Sequence, residues 1–258
     1  MSEPWLTIVT AVRDDLEGLQ RTLASVSSQD LSGVEVLVVD SSADADAVRE
    51  VSEGIASVSW MQPQGIYPAM NAGLDSAGGE YVHFLNAGDA FHGSDVLAKV
   101  RQVALSNPAW MFGPVDMIGP SGERITTPYW DYQGEKAHLF ARGLFPQHQG
   151  TFARRELLRD LGGFAAGYQV AADYALFLKM SQMADPGELD FVIADFYEGG
   201  ASSSQWKLSF REFHHARVEV FAPRGADRWR ERWDSAVHFA RVWAYRDVVE
   251  PLKRRARR

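Results

Sequence analysis

No cysteine occurs among the 258 residues, which excludes disulfides, thiolate zinc sites and cysteine nucleophiles and fits a cytoplasmic location. No apolar stretch approaches the ~20 residues that span a bilayer, so no transmembrane helix is expected. The opening Met1-Ser2-Glu3-Pro4-Trp5 lacks the basic start and apolar core of a signal peptide. Positive charge is in deficit: 26 lysines and arginines stand against 34 acids, for a net −8. Binding nucleic acid needs a basic footprint to neutralise phosphates, so no nucleic-acid partner is expected. Two phosphate-binding signatures are also missing. The first apolar run leads into Thr10-Ala11-Val12-Arg13-Asp14-Asp15 rather than a G-x-G-x-x-G turn, and no G-x-x-x-x-G-K-[ST] stretch occurs.

The scarce cations are unevenly placed. Leu252-Lys253-Arg254-Arg255-Ala256-Arg257-Arg258 carries five positive charges and no negative one; with −8 in total, the rest of the chain carries −13. A short basic tail on an acidic body reads as an interaction segment, above all for an anionic membrane surface. Hydrophobic residues at 46% and charged residues at 23% are ordinary for a globular protein. The length suits one large domain, or two fused halves, around a sizeable core.

Strand and helix patterns alternate over residues 1–115. β-Branched apolar runs at 6–12 and 34–39 predict buried strands, and further strands are expected at 57–61, 81–85 and 109–115. Between them, Asp14-Asp15 opens a helix with Leu16, Leu19, Leu23 and Val26 on one face, and helices follow at 45–54, 68–77 and from Asp95 onward. This alternation predicts an α/β fold with a mainly parallel sheet and helices on both faces. Beyond 115 the pattern loosens. A turn at Gly119-Pro120-Ser121-Gly122 separates short strands, a strand at 150–153 precedes a helix near Arg155 closed by Gly162-Gly163, and a helix at 172–183 leads to a strand at 189–196. From Arg228 to Val249, Trp229, Trp233, Val237, Ala240, Trp243 and Val248 recur at helical spacing. That apolar stripe either packs on the body or lies on a membrane with arginines at the headgroups.

Asn86-Ala87-Gly88-Asp89 directly follows the apolar run Tyr81 to Leu85. It puts a carboxylate on a tight turn at the carboxyl end of a buried strand, where open α/β sheets place ligand-binding groups. The same residues also suit an ordinary solvated turn. Asp14 or Asp15 ends a second strand, and Asp40 a third. An acidic crevice repels naked phosphate, but a bound cation inverts the local electrostatics, so a metal-bridged nucleoside diphosphate satisfies both facts.

Leu6 to Val12 with Leu19-x-x-Thr22-Leu23-x-Ser25-Val26-x-x-Gln29, and Glu35 to Ser41, resemble the opening of family 2 glycosyltransferases with the GT-A fold. Gly65-Ile66-Tyr67-Pro68-Ala69-Met70-Asn71-Ala72-Gly73 is similar to the segment G-I-Y-D-A-M-N-K-G of one bacterial surface-polysaccharide and glycolipid branch. Gly79-Glu80-Tyr81 to Asp89 is similar to its G-E-Y-x-x-F-L-N-A-G-D. His148-Gln149, Leu161 to Phe164, Ala171 to Tyr174 and Glu198 to Ser202 fall in the family's order, so the resemblance spans residues 5–205. It implies a Rossmann-like GT-A domain over 1–210, with a nucleotide-sugar half at 1–115 and an acceptor half at 116–210. A C-terminal helical extension with its basic tail occupies 211–258.

The resemblance implies a metal-dependent, inverting glycosyltransferase of the hexosyltransferase type. It would move a sugar from a UDP-, GDP- or dTDP-linked donor to a hydroxyl of a surface glycan or lipid-linked acceptor; the expected location is the cytoplasm, with the basic tail offering peripheral attachment at the inner face of the cell membrane. Thr10, Asp15, Asp40 and Asn71 would line the nucleotide, with helix capping equally open to Asp14 and Asp15. Asp89 would hold Mn²⁺ or Mg²⁺, and Asp173 would be the general base, although it is also placed to cap the helix at 172–183. Asn86, Tyr67 and His148 are candidates for substrate contact, a structural role being equally open to His148. His214-His215 offers a late metal ligand or an exposed pair, and Trp130, Tyr132, Phe145 and Trp206 offer sugar-stacking faces or core. Pro63, Pro68 and Ala72 stand where relatives carry charged residues. Two alternatives follow: a non-catalytic nucleotide-sugar or glycan-binding descendant of a transferase, and a sugar-nucleotide nucleotidyltransferase. The latter would need a Gly-rich, basic stretch where Thr10 to Asp15 is acidic.

Overall fold

The structure, a computed structural model, describes residues 3–119, 121–126, 145–197 and 205–244. Its strands are β1 (Leu6–Val12), β2 (Val34–Asp40), β3 (Ser57–Trp60), β4 (Tyr81–Phe84), β5 (Ala90–Phe91), β6 (Trp110–Phe112), β7 (Val115–Ile118), β8 (Arg124–Thr126), β9 (Thr151–Arg154), β10 (Gly187–Glu188) and β11 (Ala194–Tyr197). Its helices are α1 (Leu16–Ser27), α2 (Ala45–Ser52), α3 (Ile66–Ser76), α4 (Val96–Ala104), α5 (Arg155–Asp160), α6 (Ala172–Met183), α7 (Trp206–Phe221) and α8 (Gly225–Ala244).

β1 is buried at every position, and its side chains alternate between two cores. Leu6, Ile8 and Val12 join the core that includes Leu19, Leu23, Val48 and Leu97, whereas Val9 and Ala11 join Met70, Leu74, Trp110 and Phe164. A β-branched run with few polar interruptions needs apolar cover on both faces, and the helices supply it. β1 pairs in parallel with β2 and with β4, and the large sheet runs β10-β6-β9-β4-β1-β2-β3. β9 is the exception in direction, antiparallel to both β4 and β6. A smaller sheet, β5-β11-β7-β8, stands beside it.

The junction before β4 shows how local sequence sets this geometry. Thr7 Oγ1 donates to Glu35 Oε2 at 2.6 Å and accepts from Gly79 N at 2.8 Å, while Glu35 Oε2 also accepts from Gly78 N at 2.8 Å. Gly79 is required because the chain there passes almost against β1, whereas a Cβ at Gly78 would meet only the Glu35 carboxylate at 3.5 Å. On α3, a Cβ at Gly73 would lie 2.2 Å from Val9 Cγ1, so that glycine lets the helix settle on the sheet. Pro68 falls in the first turn of α3, where a missing N–H breaks no helical bond.

Three expectations need correction. The run 109–115 is not one strand. Trp110–Phe112 belongs to the large sheet and Val115–Ile118 to the small one, because the chain switches sheets at Gly113-Pro114, where proline has no N–H for a ladder. Within 189–196 only Ala194 onward is strand, paired with β5 and β7. The C-terminal region holds two helices, α7 and α8, where one was expected. Pro120, Trp130, Tyr132, the Glu198 to Ser202 motif and the basic tail lie outside the described residues. Among the described residues no helix is long and apolar enough to cross a membrane.

A Cβ at position 79 would sit 2.5 Å from Thr7 N and 2.6 Å from Leu6 C, both backbone atoms of the central strand. Gly79→Ala is therefore expected to lower stability by about 3 kcal/mol, the upper part of the overpacking range. Urea unfolding of the two proteins checks this, and coincident midpoints would contradict it.

Candidate active site

The sheet order places the carboxyl ends of β2, β1 and β4 side by side, so Asp40, Asp14-Asp15 and the Asn86–Asp89 turn share one edge. The turn is closed by Asp89 N donating to Asn86 O at 3.1 Å, with Gly88 at φ 99°. It is not a solvated turn: Asn86 and Asp89 are each only 6% exposed. Thr22 of α1 organises it. Its Oγ1 donates to Asp89 O at 2.6 Å and accepts from Gly88 N at 3.1 Å. Arg21, one residue earlier, donates to Gly88 O at 3.3 Å while its guanidinium lies 4.5 Å over the Tyr197 ring.

Burial pushes the Asp89 carboxyl up to about 6, against weaker opposing help from His148, Gln149, the Tyr197 backbone and Arg21. Gln149 Nε2 donates to Asp89 Oδ2 at 3.1 Å. A carboxylate removed from water with so little compensating charge is costly, and a hard divalent cation is the group that would restore the balance. The surroundings of Asp89 thus fit a metal ion.

Asn86 begins a second set of contacts. Its Oδ1 accepts from Ala11 N at 3.4 Å, and its Nδ2 donates to His148 Nε2 at 3.1 Å. With Nε2 accepting, the proton of the neutral ring sits on Nδ1, which faces Asp173 Oδ2 at 3.5 Å. Asp173 Oδ1 accepts from the Tyr67 hydroxyl at 3.2 Å and from Tyr174 N at 2.9 Å. Desolvation, and then the charge of Asp173, push the Tyr67 hydroxyl far above its ordinary value, so it remains a donor.

Asp173 does not cap α6. Ala171 holds the N-cap position without a side-chain bond. Glu212 of α7 instead fixes the preceding loop, accepting from the backbone N–H groups of Gln169, Val170 and Ala171 at 2.9 Å each. The outcome is a carboxylate oriented by three donors or neighbours yet still reachable, as a general base must be.

Toward the carboxyl ends of β1 and β2, Thr10 and Asp40 are fully buried, and Thr10 Oγ1 and Asp40 Oδ2 lack any hydrogen-bond partner. Asp40 Oδ1 accepts from Ser42 N at 2.7 Å. Buried polar atoms without a partner are rare in folded proteins, and Trp5 Nε1, His83 Nε2, Asp116 Oδ1, Gln147 Oε1 and Arg154 Nε share that state among the described residues. Asp15 caps α1 through Gly18 N at 2.9 Å, and Asp14 joins the exits of β1 and β2 by accepting from Ala43 N at 2.9 Å. Asn71 is committed elsewhere: its Nδ2 donates to Phe164 O at 2.8 Å and its Oδ1 accepts from Phe164 N at 2.9 Å. It ties α3 to the Gly162-Gly163 turn rather than facing the strand ends.

Other candidates also have structural partners. His214 Nδ1 lies 3.2 Å from Glu231 Oε1 and 3.0 Å from Ser235 Oγ of α8, and His215 Nε2 lies 3.8 Å from Glu219. Phe145 packs among Tyr174, Phe177 and Phe213 as core. Sequence reasoning missed Thr22, Gln149 and Glu212. A polar residue on the apolar stripe of α1 was the available signal for Thr22, and adjacency to His148 for Gln149. Glu212 had none.

A second polar cluster lies on the small sheet. His92, Asp116 and Asp195 place ligand atoms within 4.8 Å of one another, the single such triple among the described residues. Arg124 of β8 stands in the middle, its Nη1 2.6 Å from Asp116 Oδ2, 2.8 Å from Asp195 Oδ1 and 3.0 Å from His92 Nδ1. Burial works to raise the Asp116 carboxyl, but hydrogen bonds from Arg124 and Thr126 and the Arg124 charge bring it below its ordinary value. A cation here would have to displace a guanidinium already supplying the charge, whereas Asp89 has no such partner.

The sheet and its helical cover find counterparts among solved structures. TarS 1–349 of S. aureus in complex with UDP-GlcNAc aligns with a TM-score of 0.66 at 18% identity, over 93% of this chain and 73% of that one. The mannosyltransferase PcManGT from Pyrobaculum calidifontis, in complex with GDP-Man and Mn²⁺, aligns with a TM-score of 0.64 at 19% identity, over 96% and 76%. The architecture is that of the GT-A glycosyltransferases. In sequence, the model of Glycosyl transferase family 2 matches residues 7–177. An uncharacterized glycosyltransferase of Mycobacterium tuberculosis is 30% identical over 210 residues, 78% of each chain. A PGL/p-HBAD biosynthesis glycosyltransferase of Mycobacterium bovis is 28% identical over 183 residues, 67% of this chain and 68% of that one. The chain belongs to glycosyl transferase family 2, as the resemblance of its motifs implied.

Asp89→Asn removes the buried charge and preserves shape. The folded value of about 6 lies above the ordinary 3.8, so the ionised form costs stability. That cost is absent below pH 4, grows between pH 4 and 6, and is complete above, at up to about 3 kcal/mol. Without divalent ions at pH 7.5, the variant is expected to unfold at higher urea than its parent, with the gap closing toward pH 4. A gap independent of pH would contradict this account of Asp89.

Proposed function

We propose that this family 2 glycosyltransferase is a metal-dependent, inverting hexosyltransferase acting on a hydroxyl of a surface glycan or lipid-linked acceptor. The observation that carries the reading is one continuous path of side chains. Asp173 faces His148, His148 bonds Asn86, and Asn86 sits on the same turn as Asp89. Base and leaving-group site are thereby held in a common frame, which is what an in-line displacement needs.

In this reading the acceptor hydroxyl gives its proton to Asp173 as its oxygen attacks the anomeric carbon. The bond from that carbon to the diphosphate oxygen breaks, its electron pair stays on the phosphate, and attack from the opposite face inverts the centre. Tyr67 and the Nδ1–H of His148 keep Asp173 aimed. A divalent cation held by Asp89, once bound, would neutralise charge on the departing diphosphate. Thr10 and Asp40 take the nucleoside through their unpartnered oxygens, Asp15 stands at the edge of that pocket, and Asn71 positions α3 through Phe164.

The solved relatives carry UDP-GlcNAc in one case and GDP-Man in another, which supports a UDP- or GDP-linked donor and leaves dTDP open. The PGL/p-HBAD biosynthesis relative supports a lipid-linked or surface acceptor. We assign residues 1–115 to the donor half, 116–210 to the acceptor half and 211–258 to an extension that attaches the enzyme peripherally at the inner membrane face. The non-catalytic alternative drew on Pro63, Pro68 and Ala72. Pro68 is accommodated in the first turn of α3 and Ala72 packs on the core, so neither change disrupts the path from Asp173 to Asp89.

Thermal-shift measurements with UDP-, GDP- and dTDP-sugars, with and without Mn²⁺, test the metal and the donor. One nucleotide sugar is expected to raise the melting temperature, and more so with Mn²⁺, by mass action. Stabilisation independent of metal would remove Asp89 from its role. Asp173→Asn is expected to lower turnover by roughly 10²- to 10⁴-fold while keeping the donor-induced shift. Unchanged turnover would take the base away from Asp173.

A further inference from the structure

Helix α8 is inverted relative to an ordinary surface helix, which turns its apolar stripe to the core. The side packed on α7 combines Phe239 and His238, which meet Phe210, with a polar seam. Arg217 Nε donates to Glu231 Oε1 and its Nη2 to Ser235 Oγ, both at 2.8 Å, with His214 beside the same pair. Arg217 is 4% exposed and also donates to the Tyr174 hydroxyl at 3.0 Å, which anchors the seam to the residue following Asp173. The opposite side carries Trp229, Trp233, Ala236, Ala240 and Trp243, spaced by alternating fours and threes, which is one helical stripe. Trp229 and Trp233 are 73% and 70% exposed, Trp243 is 46% exposed, and no residue of α8 is buried. Helical geometry puts Arg228 and Arg232 along one edge of the stripe and Arg230 and Arg241 along the other.

We propose that this outer face of α8 docks the protein on an anionic lipid bilayer, the helix lying in the headgroup plane. Three indole rings on one exposed stripe are too much apolar surface to leave in water, and Trp prefers the boundary between headgroups and acyl chains. The arginines can lay their stems along that face and leave their charges on the lipid phosphates.

The charge distribution selects this occupant. Residues 206–258 carry 14 lysines and arginines against 7 acids, whereas residues 1–205 carry 12 against 27. An anionic surface therefore repels the catalytic body and attracts the end that bears the stripe, which fixes orientation as well as attachment. A second copy of the chain is the poorer occupant. A two-fold contact on this stripe would press the arginine rows of both copies together, with no acid inside the stripe to meet them.

Co-sedimentation of the full chain with vesicles tests the proposal, in the absence of nucleotide and metal so that its outcome is separate from that of the transfer reaction. The protein is expected to sediment with phosphatidylcholine vesicles containing phosphatidylglycerol, to remain in solution with phosphatidylcholine alone, and to be released by salt. Tryptophan emission should shift to the blue on binding. The Trp229→Ala/Trp233→Ala double variant is expected to lose roughly tenfold in partitioning. Its melting temperature and its donor-induced thermal shift should match the parent's, and the corresponding Phe variant should keep most of the binding. Equal sedimentation of the double variant, or indifference of the parent to anionic vesicles, would overturn the proposal. A vesicle-free dimer broken by the double variant would overturn it in favour of self-association.

Discussion

β1 has water on neither face, and that burial organises the molecule. Polar backbone groups within it are used by the parallel ladders to β2 and β4, and its side chains are divided between two apolar cores. Polar chemistry can then emerge only where the strands end. At that edge the chain supplies Asp14-Asp15, Asp40 and the Asn86–Asp89 turn. The antiparallel strand β9 completes the arrangement, because the chain entering it delivers His148 and Gln149 to the same edge.

The edge is energetically incomplete on its own. Asp89 is ionised at neutral pH at a cost, and Thr10 and Asp40 bury oxygens with nothing to bond. Elsewhere the protein handles buried charge differently. Arg124 neutralises Asp116 and Asp195, although Asp116 Oδ1 has no partner among the described residues, and Arg217 meets Glu231. Asp89, by contrast, has no guanidinium among the described residues in direct contact with its carboxylate. Sites for ligands are less stable than they would be if designed for folding alone, since their unmet valences are reserved for the ligand.

α7 and α8 extend the same logic outward. Glu212 reaches from α7 to hold the loop before Asp173, and Arg217 reaches from α7 to Tyr174 on one side and to α8 on the other. The C-terminal helices are therefore tied to the helix that carries Asp173 by buried polar contacts, while the tryptophan stripe of α8 faces outward.

Much of this was legible in the residues themselves. The continuous burial of Leu6–Val12, the cap at Asp15, the helix Ala172–Met183 and the order of motifs from Gly65 to Tyr174 are local or sequential properties, and local properties can be read along a chain. The break at Gly113-Pro114 was not legible as a change of sheet, since both halves of the run are equally apolar. Nor was the commitment of Asn71 to Phe164, the grip of Thr22 on the Asn86–Asp89 turn, or the role of Glu212. Each joins residues far apart in sequence, and their bonds exist only once the strands are paired. The Trp stripe of α8 was visible as a period, but its direction was not, because a helical repeat states which residues share a face and not what that face meets. Sequence alone determined the family, the doubly covered sheet and the identity of the strand-end carboxylates. Tertiary structure decided which of those groups are satisfied by the protein and which are left unpaired, because hydrogen bonding and desolvation depend on neighbours that only folding assembles.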